Sequence, residues 1–303
     1  MTADIRPRRS VLYVPGTSPR AQEKARSLPA DGIVFDLEDS VAPDGKSAAR
    51  DLVVSTVKAG GFGAREIGIR INPPDTEWYE ADLAAASRSG ADAILVTKIQ
   101  SPDDVTSAEA RLRSLSAPPD LALWVMIETP GALLDLREIA RTARRPESRL
   151  KGLVLGTNDI LKETGARPVA ERTPLLPWLA AAVTAARAEK LFVLDGVFND
   201  FSDETGLAAE CEQGRDFGFD GKTLIHPNQI GAANRIFSPT DAEIGEAKRI
   251  LEAFERPENR DKGAIALNGR MVERLHADIA AKTLALARAI EARDDSSGRE
   301  LPV

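Results

Sequence analysis

Apolar residues along this chain fall into short runs separated by longer amphipathic segments. Eight runs predict strands: Val11–Val14, Gly32–Leu37, Ile67–Ile71, Ala93–Lys98, Leu121–Glu128, Leu153–Thr157, Leu191–Val197 and Lys222–His226. They are rich in Val, Ile and Leu and apolar almost throughout, as parallel strands covered on both faces are. Between them, Ala21–Leu28, Lys46–Ala59, Trp78–Ser89, Ser101–Leu115, Leu133–Arg144, Trp178–Glu189 and Glu204–Phe217 carry apolar residues at three- and four-residue spacing, which predicts helices. Ser18-Pro19 and Ser101-Pro102-Asp103 supply N-terminal caps for two of these. Strict alternation of strand and helix predicts an α/β fold, a (β/α)8 barrel over residues 1–239. A doubly wound open sheet is the alternative. It would prefer a glycine-rich turn after the first strand, and Val14–Arg20 reads VPGTSPR.

Beyond the eighth strand, Ser238-Pro239-Thr240-Asp241 has a capping pattern and predicts a helix to Phe254. Arg256–Gly263 is polar and loop-like. Ala264–Glu273 predicts a hairpin turning at Asn268-Gly269, and Leu275–Ala292 a long helix. The tail from Asp294 predicts disorder. Residues 240–303 are thus expected to be an extension that packs on a neighbouring subunit. Lys162–Pro177 reads as a long loop, either a lid or a surface insertion.

Composition narrows the function. Acids and bases alternate to a net charge of −7 with no basic stripe, which argues against nucleic acid. No apolar run is long enough to span a bilayer, and MTADIRPRRS lacks a signal-peptide core. One cysteine, Cys211, rules out an internal disulfide framework and a cysteine-based zinc cluster. A soluble cytoplasmic protein is the simplest expectation.

The chemistry is expected where the strands end, because barrel active sites lie at the C-terminal face. Those ends deliver Asp36, Glu38, Asp39, Arg70, Lys98, Glu128, Asp159 and Asp195. A solvated mouth accounts for one or two such charges. It does not account for Arg70 between isoleucines in IGIRIN, or for Glu128 closing the apolar run WVMIETPG. Glu128 and Asp159, with no thiol or histidine beside them, suit a hard cation, Mg²⁺ first and Mn²⁺ second. Arg70 suits a carboxylate held bidentately or an oxyanion. Lys98, Asp195, Arg70 and Glu128 are the expected substrate-binding set for a small oxo- or hydroxy-acid. His226, at a strand end before proline, reads as structural. No nucleophile elbow or phosphate-binding loop of the Walker type is present.

With these residues in view, the sequence resembles the citrate lyase β-subunit-like branch of the HpcH/HpaI aldolase family. The matching stretches are RSVLYVPG, IVFDLEDSVAPDGKSAAR, IGIRIN, MIETPGALL, LGTNDI, LDGVFNDFSDETGLAAE and GRDFGFDGKTLIHPNQI, which together cover most of the chain. The resemblance implies a barrel that forms trimers or hexamers and uses Mg²⁺ and a CoA thioester substrate. By position it implies metal ligands at Glu128 and Asp159, a substrate-carboxylate arginine at Arg70, and Glu38-Asp39 holding metal-bound waters. The family's lyases complete the site with an aspartate from an adjacent subunit in a G-x-M-[VI]-D pattern. Here Gly269–Glu273 reads GRMVE, which puts Glu273 in the acid/base position, and Thr97 stands where proline usually precedes the lysine. Arg20 and Lys24 are candidates for the CoA phosphates.

The activity implied is Mg²⁺-dependent carbon–carbon cleavage of a 3-hydroxyacyl-CoA such as malyl-CoA or citramalyl-CoA, giving an acyl-CoA and glyoxylate or pyruvate. Thioester hydrolysis of malyl-CoA is the alternative, and a non-catalytic oxo-acid-binding barrel or citrate lyase β-type subunit is the third reading.

Overall fold

Eight parallel strands close on themselves, each hydrogen-bonded to the next and the eighth to the first. The computed structural model describes residues 5–298. The strands are β1 (Ser10–Pro15), β2 (Gly32–Asp36), β3 (Glu66–Ile71), β4 (Ala93–Val96), β5 (Ala122–Ile127), β6 (Leu150–Leu155), β7 (Phe192–Asp195) and β8 (Gly221–Leu224). The helices between them are α1 (Pro19–Ala25), α2 (Lys46–Ala59), α3 (Tyr79–Ala86), α4 (Pro102–Ser114), α5 (Pro130–Leu134), α6 (Leu136–Arg141), α7 (Thr157–Thr164), α8 (Leu176–Ala188), α9 (Glu204–Phe217) and α10 (Ile230–Phe237). This is the (β/α)8 barrel that the hydrophobic pattern predicts.

Alternation along the strands decides what faces inward. Val34, Leu95, Trp124, Met126, Val154, Phe192 and Leu194 fill the barrel with their neighbours, and Tyr13 packs on the same layer. Trp124 and Phe192 meet edge to face at 5.0 Å and 82°. Filling the lower barrel in this way leaves room only near the strand ends, which is where a ligand can enter.

Three local expectations need correction. Leu133–Arg144 is not one helix: α5 and α6 meet at Asp135 (φ −100°, ψ 14°). Lys162–Pro177 is not an open loop. Its first residues finish α7, a 3-10 turn spans Ala170–Arg172, and α8 starts at Leu176. The final helix does not stop at Ala292 but continues to Gly298, through the start of the tail predicted to be disordered. The rest of that tail lies outside the described residues.

The described residues divide into two compact units, Arg8–Arg235 and a unit built from residues 236–298 with residues 5–7. In the second, α11 (Asp241–Glu255) is capped by Thr240 and Glu243, each bonding back to the other's backbone. It is followed by β9 (Ala264–Leu267), β10 (Arg270–Glu273) and α12 (Arg274–Gly298). The hairpin turns at Asn268 (φ 53°) and Gly269 (φ 77°), the pair of left-handed residues that a tight antiparallel connection demands. Phe254, Ile265, Val272 and Ala253 form a core within this unit. Among the described residues no helix is long and apolar enough to cross a membrane.

Candidate functional site

A cavity of about 370 Å³ opens at the C-terminal ends of the strands, lined by Tyr13, Asp36, Arg70, Met126, Gly156 and Asp159 among others. Its charged lining residues, Asp36, Asp39, Arg70 and Asp159, belong to two linked groups that also include Glu38, Lys98 and Glu128.

The first group is built on Asp36 and Arg70, which pair in register on β2 and β3. Arg70 donates from Nε and Nη2 to the two oxygens of Asp36, each at 2.7 Å. Asp36 also accepts the backbone N–H groups of Glu38 (2.8 Å) and Ser40 (3.0 Å), so one carboxylate fixes both the arginine and the turn after β2. Burial works against its charge. Arg70 outweighs burial and holds the carboxyl below its ordinary range. The remaining Arg70 nitrogen, Nη1, lies 3.0 Å from Glu38 Oε2 and 3.4 Å from Asp39 Oδ2. The guanidinium carbon stands 4.7 Å above the Tyr13 ring.

The second group surrounds Lys98. Trp124 and Met126 face the interior, and the same alternation carries Glu128 inward just past the end of β5. Glu128 is fully buried and accepts the Lys98 backbone N–H at 2.8 Å. Lys98 has φ 52°, a left-handed conformation that is costly for a residue with a side chain and gathers at functional sites. Its ammonium lies 2.8 Å from Asp159 Oδ2, 3.2 Å from Glu128 Oε2 and 3.9 Å from Glu38 Oε1. These are charge contacts without hydrogen-bond geometry: Lys98 Nζ, Glu128 Oε2 and Glu38 Oε2 are all buried and hydrogen-bonded to nothing. Burial pushes Glu128 up to about 6 against the pull of Lys98, and Glu38 up to about 8 against that of Arg70. The crowding requires Gly156, because a Cβ there would come within 2.6 Å of both Glu128 Cβ and Oε2.

The structure therefore brings together Arg70, Lys98, Glu128, Asp159, Glu38 and Asp39. Asp159 reaches the site differently from the prediction. β6 ends at Leu155, and Asp159 lies in the first turn of α7 rather than at a strand tip. Among the described residues no group of three or more His, Cys, Asp or Glu is arranged to hold a metal ion. Two carboxylates around one ammonium, one of them with a buried oxygen that accepts no hydrogen bond, nevertheless form a donor set that fits a hard cation keeping several waters.

Asp195 is the clear correction. Leu194 faces the interior, so Asp195 faces the helices, where it is fully buried. There it accepts from Arg172 Nη1 (2.8 and 2.9 Å) and from Lys222 Nζ (3.0 Å), and Lys222 also bonds Glu210 at 2.5 Å. Its place is in a buried ion network that ties the 3-10 turn before α8 to the barrel, not in the substrate cavity. Arg20 and Lys24 are exposed on α1 and do not line the cavity. His226 is exposed, bonds Asn228 through Nδ1 and stacks on Phe201 at 4.9 Å. Glu273 lies on β10, in the second unit. Tyr13 and Lys46 were missed by sequence reasoning. Lys46 donates to the carbonyls of Leu37 (2.9 Å) and Glu38 (2.7 Å) and so holds the acidic turn in place. A lysine in the first turn of a helix gives no sign of that in the sequence.

Residues 9–227 match the family model HpcH/HpaI aldolase/citrate lyase. The chain is 48% identical to a (3S)-malyl-CoA thioesterase of Cereibacter sphaeroides over 96% of this chain and 99% of that protein. It is 33% identical to citrate lyase subunit beta of Escherichia coli, over 88% and 89% of the two chains. Among solved structures it is similar to CitE of Mycobacterium tuberculosis in complex with magnesium, acetoacetate and coenzyme A, with TM-score 0.70 and 26% identity over 92% of this chain and 97% of that one. The likeness to thioesterases, 47–48% in four strains, overturns the expectation of a carbon–carbon lyase.

Proposed function

The chain belongs to the HpcH/HpaI aldolase/citrate lyase family, and from that premise we propose that it hydrolyses the thioester of a malyl-CoA-type substrate. The observation that carries this reading is the near-full-length likeness to (3S)-malyl-CoA thioesterase. The site supports it: Arg70 and Asp159 line one cavity, and the Lys98 ammonium joins Asp159 to the buried Glu128, an arrangement that suits a small acid next to a cation.

In this reading Arg70, oriented by Asp36, takes the acid end of the acyl group. Glu128 and Asp159 would hold Mg²⁺ or Mn²⁺, and Glu38 and Asp39 the waters around it. Such an ion, when bound, supplies Lewis-acid polarisation and a template for the substrate oxygens. Lys98, whose ammonium lies between the two carboxylates, would supply a cation beside the bound acid. Glu273 of a neighbouring copy is the proposed base. Its extra methylene, relative to the aspartate of the lyase pattern, displaces the carboxylate by about a bond length, and ångström-scale shifts cost on the order of a hundredfold in a tuned reaction. That favours activation of a water over removal of the substrate hydroxyl proton. Water then adds to the thioester carbonyl, the C–S bond breaks, and the thiolate leaves with a proton as free CoA. Arg20 and Lys24 are offered as cations for the CoA phosphates.

The test is to follow free thiol and glyoxylate together when the purified protein, with and without Mg²⁺, meets (3S)-malyl-CoA. Thiol released without glyoxylate is expected. Glyoxylate formed without free thiol would contradict the reading.

A further inference from the structure

The interior face of β1 carries one polar side chain at the level of the site, Tyr13. Its ring packs on the apolar layer below, lines the cavity and lies beneath the Arg70 guanidinium. Its hydroxyl oxygen is shut off from solvent and makes no hydrogen bond. A phenylalanine would fill the same space and stack on the same arginine without leaving a buried hydroxyl unpartnered, which is destabilising. A fold that keeps such a group has a use for it or bears a cost.

The neighbours define the use. Glu38, Glu128 and Asp36 stand close enough to Tyr13 to act on its charge, and the buried oxygens of Glu38 and Glu128 that accept no hydrogen bond belong to the same cluster. Ionised carboxylates only accept hydrogen bonds. Arg70 has spent Nε and Nη2 on Asp36, and Nη1 already faces Glu38 and Asp39, so a ligand would have to share it with them. Besides Nη1 and the Lys98 ammonium, an acid oxygen entering this cluster finds Tyr13, a donor that brings no added charge. Burial keeps its proton in place well above the ordinary phenol range.

We propose that Tyr13 is a specificity-determining residue whose hydroxyl donates a hydrogen bond to an oxygen of the bound hydroxy- or oxo-acid, beside Arg70. The inference rests on the functional reading above, since it supposes that the cavity takes the acid end of a thioester. It deepens that reading by separating acid recognition from CoA recognition. Only the former should depend on the phenol.

The experiment compares wild type and Tyr13→Phe as full-length proteins with Mg²⁺ present. Calorimetry measures binding of (S)-malate and, separately, of CoA, and thermal melting reports stability. The expected result is malate binding weakened about ten- to hundredfold, the range for a hydrogen bond to a charged group. CoA binding is unchanged and the melting temperature is equal or higher. Unaltered malate affinity would overturn the proposal. So would parallel losses of malate binding, CoA binding and melting temperature, because these mark a structural role. If wild type binds no malate, the functional reading fails and this inference with it. Wild-type binding that Tyr13→Phe leaves intact sinks the inference alone.

Discussion

Asp36 and Arg70 stand opposite each other on adjacent strands and share two hydrogen bonds of 2.7 Å, so the aspartate sets the direction in which the arginine offers its third nitrogen. Asp36→Asn keeps the shape and removes the charge. The arginine then loses its bidentate partner while remaining buried, and breaking such a pair costs about 3–5 kcal/mol. The expected outcome is a lower urea midpoint together with a fall in kcat/KM of about tenfold or more, carried by KM for the acyl substrate. Denaturation and steady-state kinetics of the variant check both parts.

The Asp195 network predicts how stability varies with pH. Burial opposes the charge of Asp195, but Lys222 and Arg172 overcome it and hold the carboxyl below its ordinary value of 3.8. A depressed carboxyl contributes stability that is fully present above its unfolded pKa and is lost as pH falls through its folded one. Lys222 is raised above 10.5 despite burial, by Asp195 first and Glu210 next. Its contribution is present below that value and lost as pH rises through the folded pKa. Melting temperature should therefore fall at the acid end below about pH 4 and at the alkaline end above about pH 10.5. Asp195→Asn should lower the plateau, flatten the acid limb, and leave KM for substrate unchanged because residue 195 faces the helices. A changed KM with unchanged stability would put Asp195 back at the cavity.

Gly156→Ala tests the crowding around Glu128. A methyl group within 2.6 Å of both Glu128 Cβ and Oε2 must displace that side chain. The variant should fold, because the clash is confined to the cavity, and lose activity on the order of a hundredfold. Activity assays on protein with wild-type circular dichroism check this.

Cys211 is fully buried in α9, and burial pushes its thiol up to about 11. Thiolate is the reactive form, so a thiol-specific disulfide reagent should fail to label the native protein at pH 8 and label it at once in denaturant. Rapid labelling of native protein would mean that this helix opens readily.

Much of the architecture was legible because most strands are largely apolar on both faces and the helices between them carry an apolar stripe. Glu128 was legible for the same reason: it ends a run whose alternate members, Trp124 and Met126, fill the barrel. Asp195 was misread because its strand is equally apolar on its two sides. Only the position of Leu194 in the interior shows that the aspartate points outward, toward a partner, Arg172, that lies 23 residues earlier. Asp159 was found but misplaced by one turn of helix, since Gly156 both ends the strand and makes room for Glu128. The supposed loop after β6 hides its anchor in a single arginine, and no periodicity reports a long-range ion pair.

The central claim is that Glu128 and Asp159 grip a divalent cation at the mouth that holds Arg70. Titration of Mn²⁺ into wild type, Glu128→Gln and Asp159→Asn, followed by calorimetry, tests it most directly. Saturable binding by wild type and at least tenfold weaker binding by each variant is the predicted result. Equal binding by all three, or none by wild type, would contradict it.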